Sequence, residues 1–402
     1  MYDYDVIVIG ARVAGSPTAM LLARRGYRVL LLDRATFPHD TISTQLIQTP
    51  GVAHLARWGL LERLVETGCP PIHRFAFDFG PFAIKGLSGG LKGGSPSYAP
   101  RRNILDHLLV TAAAEAGAEV REGFAVRELL WEDGQVVGVR GQAATGQTCT
   151  ERARLVIGAD GRHSLVAQAV EAPMYEVRPP LSFAYYSYWS GLDAESTMRA
   201  YLRPGRAIIA LPTHADQTLI GVQWPHAEFG VFREDVEGNF LDTLELAPEL
   251  AERVRGATRE SRFLGTADLP NFFRTPFGPG WALVGDAGYH RDPALGHGIS
   301  DAFRDAELLA EAVDVGFQGR LPLANALAAY QQRRDQQARP LYELITQLAT
   351  LAPPPPEVGA LLAAMAGSQP EMDRFIAMTA GELPVPEVLG PPNAARLLGT
   401  AA

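Results

Sequence analysis

The sequence is poor in cysteine and lysine, and it has no long apolar run. Its two cysteines, Cys69 and Cys149, are too few for a disulfide framework or a cysteine-based metal cluster, so we predict no metal site. Lys85 and Lys92 are the only lysines, and we interpret the preference for arginine as codon bias. No apolar stretch reaches the ~18 residues of a membrane span. A strand pattern begins at Tyr4, which leaves no room for a signal peptide, so we expect a cytoplasmic protein.

An excess of positive charge is also missing. The 402 residues include 36 Lys and Arg against 45 Asp and Glu, which gives a formal net charge of −9. Nucleic acids and anionic membrane surfaces favour basic proteins, so neither is expected as the main partner. Because 47% of the residues are hydrophobic, the chain can form two domains with substantial cores. The composition agrees with a soluble, compact enzyme that acts on a small molecule.

The N-terminal residues carry the pattern of a βαβ unit. An apolar run over 4–9 predicts a buried parallel strand, and it ends at Gly10-Ala11-Arg12-Val13-Ala14-Gly15. Residues 15–26 predict a helix with Pro17 in its first turn and Gly26 at its end. Residues 27–33 predict the second strand. The glycine turn between strand and helix predicts a dinucleotide site, with the diphosphate at the helix N-terminus.

Two side chains of this unit bear on the ligand. Asp33 lies 18 residues after Gly15, close to the spacing of the acid that binds a ribose 2′-hydroxyl, and it would repel the 2′-phosphate of NADP. The neighbouring Arg34 is a further candidate contact. Arg12 stands where the fingerprint normally has its middle glycine. Its guanidinium either pairs with the phosphates or points to solvent.

Two later segments repeat the theme of an apolar strand that ends in glycine and an acid. The first runs from Leu155 to Ser164 and contains Gly158-Ala159-Asp160-Gly161-Arg162. The second runs from Trp281 and contains Val284-Gly285-Asp286-Ala287. Asp-Gly alone is a common turn dipeptide, so the segments gain weight only in combination with the first unit.

In this order and at these separations, the three segments resemble FAD-dependent monooxygenases of the para-hydroxybenzoate hydroxylase type and the related geranylgeranyl reductase-like flavoproteins. The resemblance covers roughly residues 4–340. It implies bound FAD, with Asp160 and Arg162 near the cofactor and Asp286 on its ribityl chain. The candidate cofactor-binding residues are Gly10, Arg12, Ala14, Gly15, Asp33, Arg34, Arg102, Asp160, Gly285, Asp286, Pro293, Gly296, Gly298 and Ile299.

In that family the residues that match Pro293, Gly296 and Gly298 form the loop beside the isoalloxazine ring. A helix that starts near Ser300 would point its positive end at the flavin N1–C2=O edge and stabilise the anionic reduced flavin. His297 either tunes the flavin, as a candidate catalytic residue, or faces solvent. An arginine that opens the helix after the glycine-rich insertion reaches the cofactor in the family. Arg102 or Arg101 would fill that role, or both are solvated.

The resemblance and the strand patterns together predict the fold class. We expect an α/β protein: an FAD-binding Rossmann-like βαβ domain, an inserted and mostly antiparallel β-sheet substrate domain, and a helical C-terminus. The FAD-binding domain would comprise residues 1–74, 100–179 and 266–345. The substrate domain would comprise 75–99 and 180–265, where aromatic and polar residues alternate. Gly86, Gly89, Gly90, Gly93 and Gly94 would mark hairpin turns or a mobile loop.

Residues 346–402 have no secure counterpart in the family. Pro353–Pro356 break the preceding long helix, and Ser368 to Glu371 are a plausible helix start. The apolar residues of this segment would cap the substrate entrance, form a dimer interface or simply pack against the parent domain. The protein is expected to be a monomer or a homodimer.

For the reaction, the resemblance implies a single-component NAD(P)H-dependent monooxygenase that hydroxylates an aromatic or polycyclic small molecule with O2 through a flavin C4a-hydroperoxide. Only one dinucleotide fingerprint is present, and such enzymes need no second one. A phenolic substrate would benefit from a base. Among the candidates Tyr185, Tyr186, Tyr188, His214, His226 and His290, we predict that Tyr186 or Tyr188 faces the substrate.

Three alternatives remain open at this point. A flavin-dependent reductase of a prenyl-type C=C bond shares all three segments, but its Tyr-x-Trp-x-Phe-Pro stretch is reduced here to the proline of Ile209-Ala210-Leu211-Pro212. A flavin-dependent halogenase normally shows Trp-x-Trp-x-Ile-Pro, and no two tryptophans of this chain have that spacing. The third alternative is an FAD-binding protein without catalytic activity.

Overall fold

The computed structural model describes residues 2–89 and 96–399. Gly90, Gly93 and Gly94, which were expected to mark turns or a loop, lie outside the described residues. Within those residues, no helix combines the length and the apolar character that crossing a bilayer requires.

In the part of the chain that the structure describes, the strands lie in two large sheets and two small ones. In chain order they are β1 (Tyr4–Ile9), β2 (Val29–Leu32), β3 (Pro71–Ile72), β4 (Arg74–Asp78), β5 (Ala83–Leu87), β6 (Ser97–Tyr98), β7 (Glu119–Arg121), β8 (Ala125–Glu132), β9 (Gln135–Gln142), β10 (Thr148–Gly158), β11 (Met174–Arg178), β12 (Ser182–Ser190), β13 (Thr197–Arg203), β14 (Arg206–Thr213), β15 (Gln217–Pro225), β16 (Thr258–Arg259), β17 (Leu264–Thr266), β18 (Asn271–Arg274), β19 (Phe277–Gly278), β20 (Trp281–Leu283) and β21 (Tyr289–His290).

The helices connect the strands of both sheets and then form the C-terminus. They are α1 (Gly15–Ala23), α2 (Thr49–Trp58), α3 (Leu61–Glu66), α4 (Arg102–Glu115), α5 (Leu165–Ala169), α6 (Phe229–Glu234), α7 (Val236–Leu244), α8 (Pro248–Arg255), α9 (Gly298–Phe317), α10 (Leu323–Leu348), α11 (Pro356–Met365), α12 (Gln369–Thr379), α13 (Val385–Leu389) and α14 (Pro391–Leu398). Short 3-10 turns cover His226–Glu228 and Gly285–Ala287.

The first large sheet has a parallel centre. Its strand order is β19-β20-β10-β1-β2-β7, and the neighbouring pairs from β20 to β7 are parallel. The βαβ unit predicted for residues 4–33 is confirmed as β1, α1 and β2. The apolar runs of β1 and β2 are buried because helices α1, α4 and α9 cover one face of the sheet and apolar side chains cover the other.

The second large sheet is mostly antiparallel, with the order β16-β12-β15-β14-β13-β4-β5. Along β12 the side chains alternate between two hydrophobic clusters. Phe183 and Trp189 pack in the cluster that also holds side chains of α6, α7 and α8. Tyr186 and Tyr188 pack on the opposite face, in a cluster that also holds Leu46, Leu295 and side chains of the C-terminal helices. The predicted fold class is therefore confirmed.

The expected domain ranges follow the two sheets closely. The strands of the first sheet lie within residues 1–74, 100–179 and 266–345, and those of the second lie almost entirely within 75–99 and 180–265. Strand β4 begins at Arg74, one residue before the expected boundary. The boundaries of independently folding domains stay a prediction.

The C-terminal segment packs on the second sheet. Helix α12 begins directly after Ser368, as predicted, and lies beside β5. Side chains of α11 and α12, among them Met365 and Ile376, are buried in one cluster with Phe75 and Tyr186 of the sheet. Packing against the parent chain thus places these helices over the sheet face that carries Tyr186.

We expect Gly15→Ala to destabilise the protein by more than about 2 kcal/mol, because steric clashes with backbone are not relieved by rotamer changes. A Cβ at Gly15 would lie 1.7 Å from the carbonyl oxygen of Gly10. The check is the free energy of unfolding from urea titration. The matched control is Gly359→Ala in α11, where a Cβ meets nothing within 4 Å. That change should be neutral or stabilising by up to ~1 kcal/mol. Equal effects of the two substitutions would contradict the packing argument.

Candidate active site

The three glycine-containing segments meet at one edge of the first sheet. In the parallel register, Ile9 of β1 pairs with Gly158 of β10, and Gly158 pairs with Leu283 of β20. The residues that follow these strands are Gly10, Asp160 and Gly285 with their neighbours. Parallel strands place their carboxyl ends at the same edge of the sheet, and ligands of open α/β sheets bind there. The three segments therefore lie together at one edge of the sheet, and their binding of one cofactor stays a prediction.

Close backbone approach explains the glycines at this edge. Gly10 has φ +101°, and a Cβ there would lie 2.4 Å from the carbonyl oxygen of Ala159. Gly285 has φ +60°, and its Cβ would lie 2.6 Å from Cβ of Ala14. Side chains at these positions would force the strand ends apart. The packing of Gly285 on Ala14 thus joins the first and third segments directly.

Asp33 fixes the glycine turn. Its carboxylate accepts hydrogen bonds from the backbone N–H of Ala11 at 2.7 Å and of Ala35 at 2.8 Å. A carboxylate has about four acceptor positions, so two remain for a ribose hydroxyl. Arg34 is exposed and forms no hydrogen bond or ion pair with other described residues. The contacts of both residues with a nucleotide stay predictions.

Arg12 is neither free in solvent nor alone. Its Nη1 donates to the buried Asp106 of α4 at 2.6 Å, and the same carboxylate accepts from Arg102 at 3.1 Å. Two guanidinium groups on one carboxylate leave a net positive charge beside the glycine turn, where the diphosphate is expected. The solvent alternative for Arg12 is wrong, and phosphate contact stays a prediction.

Arg101 and Arg102 point to different parts of the protein. Arg102 is buried beside Asp106. Arg101 reaches the second sheet, where its guanidinium lies 3.7 Å from the ring centroid of Tyr188 and pairs with Asp40 at 3.3 Å. Arg102 is therefore the better candidate of the two for the cofactor, and the solvated alternative is wrong for it.

Asp160 caps a helix. One carboxylate oxygen accepts from the backbone N–H of Leu165, the first residue of α5, at 2.7 Å. The other oxygen is buried and has no partner among the described residues. Burial raises the pKa of this carboxyl group. Arg162 turns away to the surface and pairs with Asp268 at 3.1 Å.

Asp286 and the loop after it are open to a ligand. Asp286 is exposed at the end of β20 and forms no hydrogen bond or ion pair with the other described residues. Pro293 and Gly296 lie in the following loop, and Gly296 has φ +65°. A Cβ on Gly298, the first residue of α9, would meet nothing within 4 Å. The side chain of Ile299 packs in the core, so only its backbone is available to a cofactor.

His297 is buried, and the expectation of a solvent-facing loop histidine is wrong. Its Nε2 donates to the backbone carbonyl of Thr379 in α12 at 2.7 Å. Burial, followed by the charge of Arg291, lowers the pKa of His297 to about 4. The ring is therefore neutral near pH 7. Its hydrogen bond to Thr379 connects the loop before α9 to the C-terminal segment. A catalytic role for it stays a prediction.

These features fit FAD. The glycines at the strand ends would let a dinucleotide approach the backbone closely. Arg12 and Arg102 supply positive charge, and the exposed Asp286 can accept hydrogen bonds from hydroxyl groups. The N-terminus of the 20-residue helix α9 lies directly after the loop. The residues that would hold FAD are thus the ones that end β1, β10 and β20, together with the Pro293–Gly298 loop.

A small cavity lies between this loop and the second sheet. Its volume is about 30 Å³, room for about two water molecules. The polar side chains in its wall are Thr44, Gln48 and Thr379, and the rest of the wall is apolar or backbone. The complete wall consists of Thr44, Leu46, Gln48, Phe77, Met198, Ala200, Ile209, Leu211, Pro293, Ala294, Leu295, Gly296 and Thr379.

Tyr186 and Tyr188 lie on the cavity side of the sheet but not in the cavity wall. Their hydroxyl groups accept hydrogen bonds from Ser43 and Gln45 respectively. Burial raises the pKa of both tyrosines, so neither is ionised near pH 7. Through these hydrogen bonds the two tyrosines hold Ser43 and Gln45, the neighbours of Thr44. A contact of either with the substrate stays a prediction, and the structure favours an indirect role.

The other candidate bases are also placed away from the cavity. His214 accepts from the N–H of Arg101 and donates to Thr67, which keeps it neutral. His226 lies in the short turn on the far side of the sheet, and His290 contacts the carbonyl of Pro270. Tyr185 faces α6. Within the described residues, the cavity wall contains no titratable side chain.

Sequence reasoning missed the segment from Thr44 to Gln48 and the buried Asp292. Asp292 accepts from Ser182 and Gln223 of the second sheet and from the N–H of Ala294. Asp292 therefore connects the loop beside the proposed flavin site to the second sheet. The sequence offered one signal for the segment from Thr44 to Gln48. It follows the second strand, contains several polar residues and shows neither strand nor helix periodicity.

A family comparison agrees with this site. Residues 3–344 match the model of a family described as FAD binding domain. The chain belongs to this FAD-binding family. Its members are flavin-dependent oxidoreductases, so the protein is an enzyme.

Relatives of similar identity differ in reaction. A digeranylgeranylglycerophospholipid reductase of Methanopyrus kandleri is 28% identical over 87% of this chain and 91% of its own length. A 6-methylpretetramide 4-monooxygenase of Streptomyces rimosus is 28% identical over 75% of this chain and 73% of its own. A tryptophan 2-halogenase of Chondromyces crocatus is 28% identical over 81% of this chain, which spans only 64% of the halogenase. Family membership therefore gives the cofactor and the reaction class but not the reaction.

Among solved structures, the myxobacterial chondrochloren halogenase CndH superposes with a TM-score of 0.80 at 23% identity. The match covers 99% of this chain and 96% of the halogenase, so the C-terminal helices are included. At this identity the likeness concerns the fold.

We expect Asp286→Ala to purify without yellow colour and with FAD affinity reduced at least tenfold, because a hydrogen-bonding acceptor for the cofactor is lost. Folding should survive, since the exposed side chain has no partner among the described residues. The measurements are the flavin absorbance per protein and an FAD titration. Asp242→Ala, an exposed aspartate of α7, is the matched control and should stay yellow. A fully loaded Asp286→Ala protein would refute this part of the FAD assignment.

We also expect His297→Gln to weaken the pH dependence of stability. The pKa of His297 in the folded protein, about 4, lies below the ordinary value of 6.5. Between these two pH values the unfolded chain binds a proton on His297 and the folded protein does not. Stability is then full above pH 6.5 and falls as the pH drops towards 4, by about 2 kcal/mol at pH 5. Glutamine keeps an N–H donor for Thr379 but cannot be protonated. Urea unfolding at pH 5 and 7.5 should give a smaller difference for the variant. Identical differences would contradict the assignment.

Proposed function

We propose that the protein is a single-component, NAD(P)H-dependent FAD monooxygenase that hydroxylates an aromatic or polycyclic small molecule with O2. The observation that carries this proposal is the position of the cavity. It lies against Pro293 and Gly296 of the loop that precedes α9, and most of its wall is apolar. A reaction with activated oxygen requires an enclosed, water-poor site beside the flavin ring.

The chain's own residues have three tasks in this proposal. The strand ends hold the cofactor, and the positive end of α9 stabilises negative charge at the edge of the flavin. Reduced FAD supplies the electrons that activate O2 for transfer of one oxygen atom to the substrate. The apolar wall excludes water and orients the substrate. Because the described wall contains no titratable side chain, the proposed reaction uses no protein base in direct contact with the substrate.

The nicotinamide co-substrate is part of the proposal. Among the described residues, the parallel sheet contains one glycine-turn βαβ unit, formed by β1, α1 and β2. Asp33 at the end of β2 suits the ribose of FAD. A transient NAD(P)H that docks on the FAD domain would need no second unit of this kind. The similarity to the 6-methylpretetramide 4-monooxygenase supports the monooxygenase part of the proposal.

A flavin-dependent reductase of a prenyl-type C=C bond is the second candidate. The Methanopyrus kandleri reductase matches over 91% of its length, and an apolar cavity would also suit a hydrocarbon chain. The absence of the aromatic residues of the Tyr-x-Trp-x-Phe-Pro stretch from β14 speaks against it. A halogenase is less favoured, because Trp58, Trp131, Trp189, Trp224 and Trp281 lack the spacing of the halogenase motif.

Rapid mixing separates these functions. The holoenzyme is reduced without oxygen and then mixed with oxygenated buffer while its absorbance is followed. For a monooxygenase we expect two separate phases. The reduced flavin first reacts with O2, and the spectrum of oxidised flavin then returns more slowly, because a site that excludes water slows this return. Free reduced FAD serves as the control and should lack the second slow phase.

A single phase at every oxygen concentration, with and without an aromatic ligand, would contradict oxygen activation and favour the reductase. Repeating the experiment with added bromide tests the halogenase, for which the halide would change the second phase. Reduction of the bound flavin by NADH and by NADPH is measured separately. Failure of both would contradict the proposed co-substrate.

A further inference from the structure

The proposed reaction assigns no task to the buried carboxylate of Asp292. The residue is 1% exposed. In the described part of the chain it has no salt-bridge partner, and its carboxylate is contacted by neutral hydrogen-bond donors. Burial raises the pKa of this carboxyl group, and the hydrogen bonds that it accepts oppose the rise. A buried charge without a counter-charge is costly, so these hydrogen bonds must offset the cost.

Three donors from the second sheet and from the loop before α9 converge on this carboxylate. The hydroxyl of Ser182 donates to Oδ2. Oδ1 accepts from Nε2 of Gln223 at 2.8 Å and from the backbone N–H of Ala294 at 3.0 Å. Nε2 of Gln223 also donates to the Ser182 hydroxyl at 2.6 Å. A single oxygen atom of Asp292 thus joins strand β15 to the loop.

Both partners in the sheet lie on the face that lines the cavity. Side chains alternate along a strand, so Ser182 shares its face of β12 with Tyr186 and Tyr188. By the same rule Gln223 shares its face of β15 with Leu219. The two tyrosines and Leu219 belong to one hydrophobic cluster, which also contains residues of the cavity wall. Asp292 therefore connects the loop to the cavity side of the sheet.

The main chain of Asp292 is fixed as well. Its N–H donates to Oδ1 of Asn271 in β18 at 2.7 Å. Asn271 is completely buried, and its Nδ2 donates to the carbonyls of Pro179 at 3.3 Å and Leu269 at 3.4 Å. Asp292 is thus held at its main chain and at its side chain. The N–H of Ala294 therefore binds an acceptor whose own position is fixed.

Other contacts hold the loop from different directions. Nε2 of Gln48 donates to the carbonyl of Leu295 at 2.9 Å, and His297 binds a carbonyl of α12. The contact through Asp292 adds the second sheet as a third support. Ala294 itself lies in the cavity wall. A shift of the loop at this residue would therefore move one wall of the cavity.

From these contacts we propose that Asp292 is a positioning residue. It sets the distance between the loop Pro293–Gly296 and the second sheet, and thereby the position of the flavin ring relative to the substrate. A carboxylate suits this task, because both of its oxygens accept and three donors have to be satisfied. Asp292 acts through Ala294 rather than through contact with a ligand. This inference rests on the proposed function, which places the flavin and the substrate at this loop and cavity.

Amide hydrogen exchange of Ala294 in the FAD-loaded protein tests the proposal. In Asp292→Leu this N–H loses its acceptor, and it should exchange at least tenfold faster than in the wild type. Asp292→Asn should stay within about threefold of the wild type, because its oxygen can accept from Ala294 while its NH2 group donates to the Ser182 hydroxyl. Mass spectrometry with fragmentation of the peptide around Ala294 resolves this amide.

Ser182→Ala and Ser187→Ala form a matched pair of variants. Both serines are completely buried in β12, and both hydroxyls donate a hydrogen bond, from Ser182 to Asp292 and from Ser187 to the carbonyl of Ser261. Urea unfolding should therefore show similar losses of stability. Only Ser182→Ala should accelerate the exchange of the Ala294 amide. If Asp292→Leu does not give folded holoenzyme, this pair decides.

The visible circular dichroism of the bound flavin is the second readout, because it reports the surroundings of the ring and needs no turnover. Asp292→Leu and Ser182→Ala should change this spectrum. Asp292→Asn and Ser187→Ala should give the spectrum of the wild type. A residue that only contributes to stability would not produce this division.

Unchanged exchange of Ala294 in Asp292→Leu and Ser182→Ala would overturn the proposal. Faster exchange with an unchanged flavin spectrum would overturn it as well, because the loop would then not position the ring. Equal effects of Ser182→Ala and Ser187→Ala would reduce Asp292 to a contributor to stability and refute its positioning role. The oxygen reaction is not part of these measurements. A reductase that gave the expected results would contradict the proposed function alone.

Discussion

The structure depends on the close approach of three parallel strand ends. Strands β1, β10 and β20 end side by side, and the turns after them touch through backbone and small side chains. Gly15 packs on Gly10, and Gly285 packs on Ala14, at distances that exclude any larger residue. This steric constraint brings residues that are far apart in the sequence to one edge of the sheet. The same constraint leaves backbone and the exposed Asp286 free for a dinucleotide.

The second sheet is aligned on this edge by buried polar contacts. Asp292 binds Ser182 and Gln223 of the second sheet and the N–H of Ala294 in the loop before α9. Gln48 and Ser300 connect the segment after β2 to the same loop. The cavity lies where these elements meet, and α12 closes it through Thr379, whose carbonyl receives the hydrogen bond of His297. The C-terminal helices thus complete the wall of the cavity through Thr379.

The strand ends and the cavity are formed by different residues, which is consistent with relatives that share a fold and catalyse different reactions. The proposed FAD site is set by backbone geometry at the strand ends. The cavity wall is formed by residues from five separate parts of the chain, so its side chains can change without disturbing the strand ends. Reductases, monooxygenases and halogenases at about the same identity are therefore compatible with one fold. The wall of the cavity is where the residues that set this protein's own reaction have to be sought.

The sequence by itself determined the βαβ unit, the strand-end glycines and the FAD-binding family, because each depends on local patterns: an apolar strand, a glycine turn and a helix start. It also determined the alternation that places Tyr186 and Tyr188 on one face of β12. Only the tertiary structure decided what the side chains contact. The pairing of Arg12 with Asp106, the hydrogen bond of His297 to Thr379 and that of Gln48 to Leu295 join residues that are 82 to 247 positions apart. Such contacts leave no local periodicity in the sequence, because they arise from the packing of whole elements.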